Sequence, residues 1–431
     1  MTASLQFPDA FYWGVATAAH QVEGNNTTSD WWEWENDPAP KVAPAEASGD
    51  ACDHFHRYRD DIGLLADLGL NTYRFSVEWA RIEPRAGEFD QTALQHYEDV
   101  VDTCLERGVE PIVTLQHFTL PAWVAHAGSW TNPDMPGYFT RYTRRVVERI
   151  GDRVRYFATI NEPGNMITRG YLGTYPSPPF VRDLTAFDAA ADGVNTSHRH
   201  ARDMIKQIAP GARVGMAHAF QEWHANPGGE QIMLWARELH EDRFLTACHD
   251  DDFIGVQTYT RLHVNAPRIA APLSAALLRS RFLTQSVLLP VLRQQAAAMS
   301  PAEQAVPADG IRRTQMGYPF APDAVEVTAR RVNALFPHKE LLITEHGVGT
   351  ENDTERIEYI DHGLRAIHCM LSDGLPISGY IHWSLLDNYE WWHGYRPKFG
   401  LIAVDRTTQQ RTPKASARWY GAVAAQNQLS T

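Results

Sequence analysis

The chain has 431 residues, 44% of them hydrophobic, enough for two or three average domains or for one large α/β barrel. Its 39 Lys and Arg against 52 Asp and Glu give a net charge of -13, which argues against a nucleic-acid partner and is equally accounted for by solubility. Cys52, Cys104, Cys248 and Cys369 are widely spaced with no C-x-x-C pair, so they read as reduced, buried thiols rather than a disulfide or zinc framework.

The first residues lack a basic stretch followed by an apolar one, so no secretory signal is expected and the cytoplasm is the expected location. Strand-like runs then occur at residues 11–18, 72–77, 111–118, 156–162, 213–220, 253–259, 340–345 and 377–386. Amphipathic helical patterns lie between them, among others at 52–68, 92–107, 138–150, 322–335 and 354–371. In the last of these, Ile357, Ile360, Leu364, Ile367 and Leu371 recur at spacings of three and four. Such alternation predicts a parallel sheet covered by helices. Eight units favour closure into a (β/α)8 TIM barrel, with residues 1–431 as a single catalytic domain; an open doubly wound sheet also fits the alternation. Segment 265–309, after the sixth strand, breaks the pattern. Its apolar stretch is interrupted by Pro290, flanked by arginines, too short to cross a bilayer and without a helical stripe. It reads as a loop insertion carrying a helix that packs on the barrel. A wall beside the barrel mouth is the second reading, because loops after barrel strands lie on that face.

Two of the strand-like runs end in a carboxylate. Tyr156-Phe-Ala-Thr-Ile-Asn-Glu162 is followed by Pro, and Leu341-Leu-Ile-Thr-Glu345 by His-Gly. In a barrel all strands point the same way, so both carboxylates emerge at the top face, where they can oppose each other. A single such glutamate would be a helix cap or a salt-bridge partner; two at matched positions suit glycosidic-bond hydrolysis, which needs an acid and a nucleophile or base. Thirteen tryptophans and 11% aromatic residues supply more flat apolar surface than a core requires. At the end of the eighth strand, Trp383, Glu390 and Trp391 lie among Asp, Asn and His, a composition suited to sugars, which present apolar C–H faces bordered by hydroxyls.

Six motifs occur in a recognisable order. They are Phe11-Tyr-Trp-Gly-Val-Ala-Thr-Ala-Ala-His-Gln21-Val-Glu-Gly, Tyr73-Arg74-Phe-Ser-Val-Glu-Trp-Ala-Arg-Ile-Glu-Pro, Leu115-Gln-His117-Phe-Thr-Leu-Pro-Ala-Trp, Thr159-Ile-Asn161-Glu162-Pro, Ile343-Thr-Glu345-His-Gly and Trp383-Ser-Leu-Leu-Asp-Asn-Tyr-Glu390-Trp391. Over nearly its whole length the chain resembles the family-1 glycoside hydrolases, the β-glucosidase family. The resemblance implies a retaining exo-β-glycosidase, foremost a β-glucosidase acting on non-phosphorylated β-D-glucosides, with β-galactosidase or β-fucosidase side activity. It implies Glu162 as acid/base and Glu345 as nucleophile. Gln21, His117, Asn161, Glu390 and Trp391 would hold the sugar hydroxyls, Trp383 would form the stacking floor, and Arg74 and Tyr259 would contact the nucleophile. Arg74 would favour an ionised Glu345, whose charge would keep Glu162 protonated; a retaining pair stands about 5–5.5 Å apart.

Three positions depart from the family pattern. His346 replaces the usual Asn after the nucleophile and is expected to alter hydrogen bonding behind Glu345; Gln257 stands where Asn is frequent and is expected to reshape the pocket floor; Tyr389 stands where Phe is common. Glu390 would repel a phosphate, which disfavours 6-phosphorylated sugars. Nineteen histidines invite a metal reading, but the pairs His54/His56, His198/His200 and His218/His224 lack H-E-x-x-H or a cysteine complement, so no metal and no cofactor are expected. The expected partner is a small β-glycoside, with no nucleic acid and no membrane; homo-oligomerisation is left open. Two rival functions remain: a transglycosidase passing the sugar to an alcohol, and a catalytically silent glycan-binding barrel.

Overall fold

Eight parallel strands in chain order close into a barrel: β1 (Tyr12–Ala16), β2 (Thr72–Ser76), β3 (Glu110–Gln116), β4 (Tyr156–Asn161), β5 (Arg213–Ala219), β6 (Phe253–Gln257), β7 (Glu340–His346) and β8 (Ile377–Trp383). The computed structural model describes residues 4–39, 44–264, 278, 280–290, 293 and 310–430. Each strand pairs with the next, and β8 returns to β1 with Gly379 opposite Tyr12 and Trp383 opposite Ala16. Closure removes both sheet edges and excludes the open doubly wound alternative. The strands are buried almost throughout, as expected where helices cover one face and the lumen is filled on the other.

A helix follows every strand: α1 (His54–Asp67), α2 (Gln91–Glu106), α3 (Met135–Ile150), α4 (Leu184–Ile208), α5 (Glu230–Arg237), α6 (Ala324–Leu335), α7 (Asp353–Ser372) and α8 (Ala415–Gln426). In α3 the buried Met135, Phe139, Tyr142, Val146 and Ile150 make one stripe against the barrel. The buried face of α7 is displaced from the predicted one: Ile357 and Leu371 are half-buried, while Arg356, Tyr359, Gly363 and Met370 are buried. Arg356 Nη2 reaches Lys398 O at 2.6 Å, and Tyr359 Oη donates to Tyr259 O at 2.7 Å. These polar anchors rotate the helix away from its purely aliphatic stripe.

The lumen is layered. Tyr12, Tyr156 and Phe253 meet edge to face with 5.5 Å between successive rings and, with Ile112, Leu342 and Ile381, plug the barrel below. Ala16, Ala158 and Ala217 form part of the same lumen packing. Their small side chains leave room for the polar side chains at the upper strand ends. Two strands carry register irregularities there: β4 against β5 between Ala158 and Asn161, and β7 against β6 between Ile343 and Glu345. Such bulges re-aim side chains at barrel rims. The strand expected over residues 377–386 ends at Trp383.

The segment expected as an insertion, 265–309, lies largely outside the described residues. Of the described part, Leu288 and Leu289 are buried, Arg281 donates to Leu184 O at 3.1 Å and Gln285 to Asp183 Oδ2 at 3.2 Å. This part therefore packs on the start of α4. Cys52, Cys104 and Cys248 are buried free thiols, but Cys369 is exposed, correcting the expectation of four buried ones; it falls on the solvent side of α7. No helix among the described residues is long and apolar enough to cross a membrane.

Candidate active site

Glu345, at the upper end of β7, is gripped by three donors. Arg74 Nη1 on β2 reaches its Oε1 at 2.6 Å, Gln257 Nε2 on β6 reaches the same oxygen at 2.9 Å, and Tyr259 Oη reaches Oε2 at 2.5 Å. Arg74 and Glu345 are almost wholly buried. Burial pushes the Glu345 carboxyl above its ordinary value, and Arg74 and Tyr259 pull it back. The sequence expectation named the arginine's pull; the structure adds the larger opposing cost of desolvation.

Asn161 links the nearby groups. Its Oδ1 accepts from Arg74 Nη2 at 2.5 Å and from Gln257 Nε2 at 2.8 Å, so its amide nitrogen faces His117 Nε2 at 3.2 Å. Because arginine only donates, this orientation makes His117 Nε2 the acceptor and leaves its proton on Nδ1. Burial, with Arg74 adding to it, holds His117 far below its usual pKa and therefore neutral. His117 Nδ1 and Gln21 Oε1 are buried and have no hydrogen-bond partner among the described residues. One donor and one acceptor are thus left unsatisfied among these residues, the complement a hydroxyl-bearing ligand needs.

Glu162 follows the last residue of β4 in the left-handed backbone region, φ 45°, at the start of a short helix, Pro163–Ile167. Phe118 and Trp391 share that region with φ of 68° and 48°. A non-glycine residue there is strained, and such strain collects at functional sites. Gly164 permits the close approach of the His240 backbone: a Cβ would lie 1.7 Å from His240 O. Asn165 Nδ2 donates to Glu162 Oε2 at 2.6 Å. Burial raises Glu162 to about 7, helped by the charge of Glu345 and opposed by Arg169, Asn165 and Arg74. Glu390 rises to about 8, again chiefly through burial and against Arg169. A carboxyl that is largely protonated at neutral pH weakens the repulsion that the sequence reading set against a phosphate.

The aromatic residues close the walls. The His117 ring lies nearly parallel to Trp383 at 5.7 Å and to Trp391 at 6.3 Å. Phe118 meets Trp391 at 5.0 Å. Gln21 Nε2 donates to Tyr389 O at 2.7 Å and approaches Glu390 Oε2 at 3.4 Å. All ten residues singled out from the sequence (Gln21, Arg74, His117, Asn161, Glu162, Tyr259, Glu345, Trp383, Glu390 and Trp391) therefore gather around the upper barrel mouth.

His346 behaves differently from expectation. Strand alternation turns it out of the lumen, where Nδ1 meets Tyr380 Oη at 3.0 Å and Nε2 meets Pro322 O at 3.1 Å; it makes no hydrogen bond to Glu345. Gln257, expected to reshape the floor, bonds the nucleophile candidate itself. Asn165 and Arg169 were missed, since nothing but their spacing of three and seven from Glu162 marks them. His198, Cys248 and Asp251 have ligand-type atoms within 4.8 Å of one another, a grouping the histidine pairs in the sequence did not suggest. The contacts there are hydrogen-bonded: His198 spans Thr159 Oγ1 at 2.7 Å and Asp251 Oδ1 at 3.0 Å, with Arg202 3.6 Å from the same oxygen.

Comparison with known proteins agrees with this geometry. The model of the family described as glycosyl hydrolase family 1 matches residues 3–429. The thermostable β-glucosidase B of Thermobispora bispora is 32% identical, the alignment covering 99% of this chain and 92% of that protein. Among solved structures, β-glycosidase BGL167 is 39% identical with a TM-score of 0.81, covering 97% of each chain. A β-glycosidase from Pyrococcus horikoshii is 30% identical with a TM-score of 0.85, covering 100% of this chain and 97% of that one. Fold, motif order and a family match over almost every residue lead to one conclusion: the chain belongs to glycosyl hydrolase family 1 and is a glycoside hydrolase.

Proposed function

We propose that the enzyme is a retaining exo-β-glucosidase acting on non-phosphorylated β-D-glucosides, with tolerance for β-galactosides or β-fucosides, and that residues 1–431 work as one catalytic unit. The observation that carries the reading is the contrast between two carboxylates at matched strand ends. Glu345 is held by three donors, whereas Glu162 has one amide and a pKa raised to about 7. Two carboxyls held in such different hydrogen-bond environments can divide acid and nucleophile work.

In the first step the Glu345 carboxylate attacks the anomeric carbon as the bond to the aglycone oxygen breaks, and the Glu162 proton passes to that oxygen. Arg74 and Gln257 hold the Glu345 oxygen they share, and Tyr259 orients the other. Once Glu345 is a glycosyl ester its charge is gone, so Glu162, now ionised, takes a proton from water. The water oxygen bonds the anomeric carbon and Glu345 leaves as carboxylate. Gln21, His117, Asn161, Glu390 and Trp391 would orient the sugar hydroxyls over Trp383, with the free Gln21 Oε1 and His117 Nδ1 supplying one acceptor and one donor.

Azide rescue tests the division of labour. Glu162→Ala with azide should regain turnover and yield the β-glycosyl azide, whereas Glu345→Ala should yield the α-anomer. Near-normal activity of either variant without azide overturns the proposal. Binding without turnover would favour a silent glycan-binding barrel, and alkyl glucoside as the main product in dilute alcohol would favour a transglycosidase.

A further inference from the structure

Arg169 lies seven residues beyond Glu162 on the helical stretch formed by Pro163–Ile167 and Thr168–Leu172. It is half-buried, with its guanidinium 5.6 Å from the Phe118 ring centre and 5.7 Å from that of Tyr175. Among the described residues it has neither a salt-bridge partner nor a side-chain hydrogen bond. Half-buried guanidinium donors that bond no acceptor are costly. Arg74 is taken up by Glu345, whereas Arg169 favours the ionised forms of Glu162 and Glu390 through space without bonding either. Arg169 acts on Glu162, Glu390, His240 and His393, whereas Glu345 answers to the charge of Arg74 and to hydrogen bonds from Arg74 and Tyr259. Its ring neighbours touch the aromatic wall of the site, Phe118 against Trp391 at 5.0 Å and Tyr175 against His393 at 6.0 Å, so Arg169 stands beside the acid at the barrel mouth. Tyr318 and Tyr175 lie near the same cation.

We propose that Arg169 is the cationic pole of an aglycone subsite walled by Phe118 and Tyr175, and that the enzyme favours β-glucosides whose aromatic aglycone bears a carboxylate. Guanidinium binds carboxylate bidentately, and the rings flanking it accept a planar arene. The proposal rests on the β-glucosidase reading above and extends it to the substrate class.

The test compares kcat/KM for 3- and 4-carboxyphenyl β-D-glucosides with their carbamoyl counterparts, which match in shape and differ by one charge. The wild-type enzyme should favour the carboxylate about tenfold or more in at least one position. The preference should shrink in 0.5 M NaCl and fall to unity in Arg169→Met. A ratio of one in wild type, a ratio unchanged in Arg169→Met, or a preference instead for 6-phosphoglucosides overturns it. If Arg169 merely balances Glu162 and Glu390, the variant changes both substrates alike and shifts the pH profile, which also overturns it. Tighter NMR-detected binding of 4-hydroxybenzoate than of 4-hydroxybenzamide, lost in Arg169→Met, reads the subsite without turnover. That readout separates failure of this subsite from failure of the β-glucosidase assignment.

Discussion

Gln257 Nε2 donates to Glu345 Oε1 at 2.9 Å, sharing that oxygen with Arg74 and also bonding Asn161 Oδ1 at 2.8 Å. A residue that marks a departure from the family pattern is thus tied directly to the proposed nucleophile and to the residue before the proposed acid.

Replacing it by Met removes a hydrogen bond to a buried carboxylate, an interaction of about 1.5–3 kcal/mol. We expect kcat/KM to fall about 10- to 100-fold and the acidic limb of its pH profile to move upward, since the lost donor stabilised the ionised form. Gln257→Asn keeps the amide one methylene further back and should recover part of the loss. Steady-state kinetics of the two variants across pH decides.

Glu162 must be protonated to act as acid, so kcat/KM should decline above a pH near 7. Asn165 donates to its ionised form; Asn165→Ala therefore raises the pKa and moves the alkaline limb up by about half a unit or more. A downward move contradicts the geometry.

The same shift has a stability consequence. The unfolded glutamate ionises near 4.5 and the folded one near 7, so stability is full below 4.5 and lost as pH rises toward 7. Glu162→Gln should accordingly melt above wild type at pH 8, by ~3 kcal/mol at most, and level with it at pH 4. Calorimetry at the two pH values checks both halves.

His346 fits because Gly363 on α7 has no side chain: a Cβ there would lie 2.5 Å from the imidazole Cε1. The ring is held by Tyr380 and Pro322 and cannot easily yield. Gly363→Ala should cost about 1–3 kcal/mol, and adding His346→Asn should restore much of it. Urea denaturation of the double-mutant cycle measures the coupling.

The hydrogen-bonded His198, Cys248 and Asp251 group already has Arg202 against Asp251. Dialysis against a zinc chelator should leave activity and melting temperature unchanged, and a loss restored by zinc would contradict this.

Strand and helix periodicity was legible because burial on both sides forces apolar runs, and the six motifs carried nine of the ten expected site residues, all but Tyr259. The sequence could therefore favour the barrel and single out the carboxylate pair and most of its companions, while closure of the sheet was decided by the structure. Tertiary structure decided what depends on direction. Residues 345 and 346 are neighbours in the chain, yet strand alternation sends Glu345 into the mouth and His346 into the helix layer. Arg169 reads as an ordinary helix cation until folding sets its guanidinium against two rings with no salt bridge among the described residues. Charge balance and burial are sums over residues distant in sequence, and they exist only once the barrel has closed.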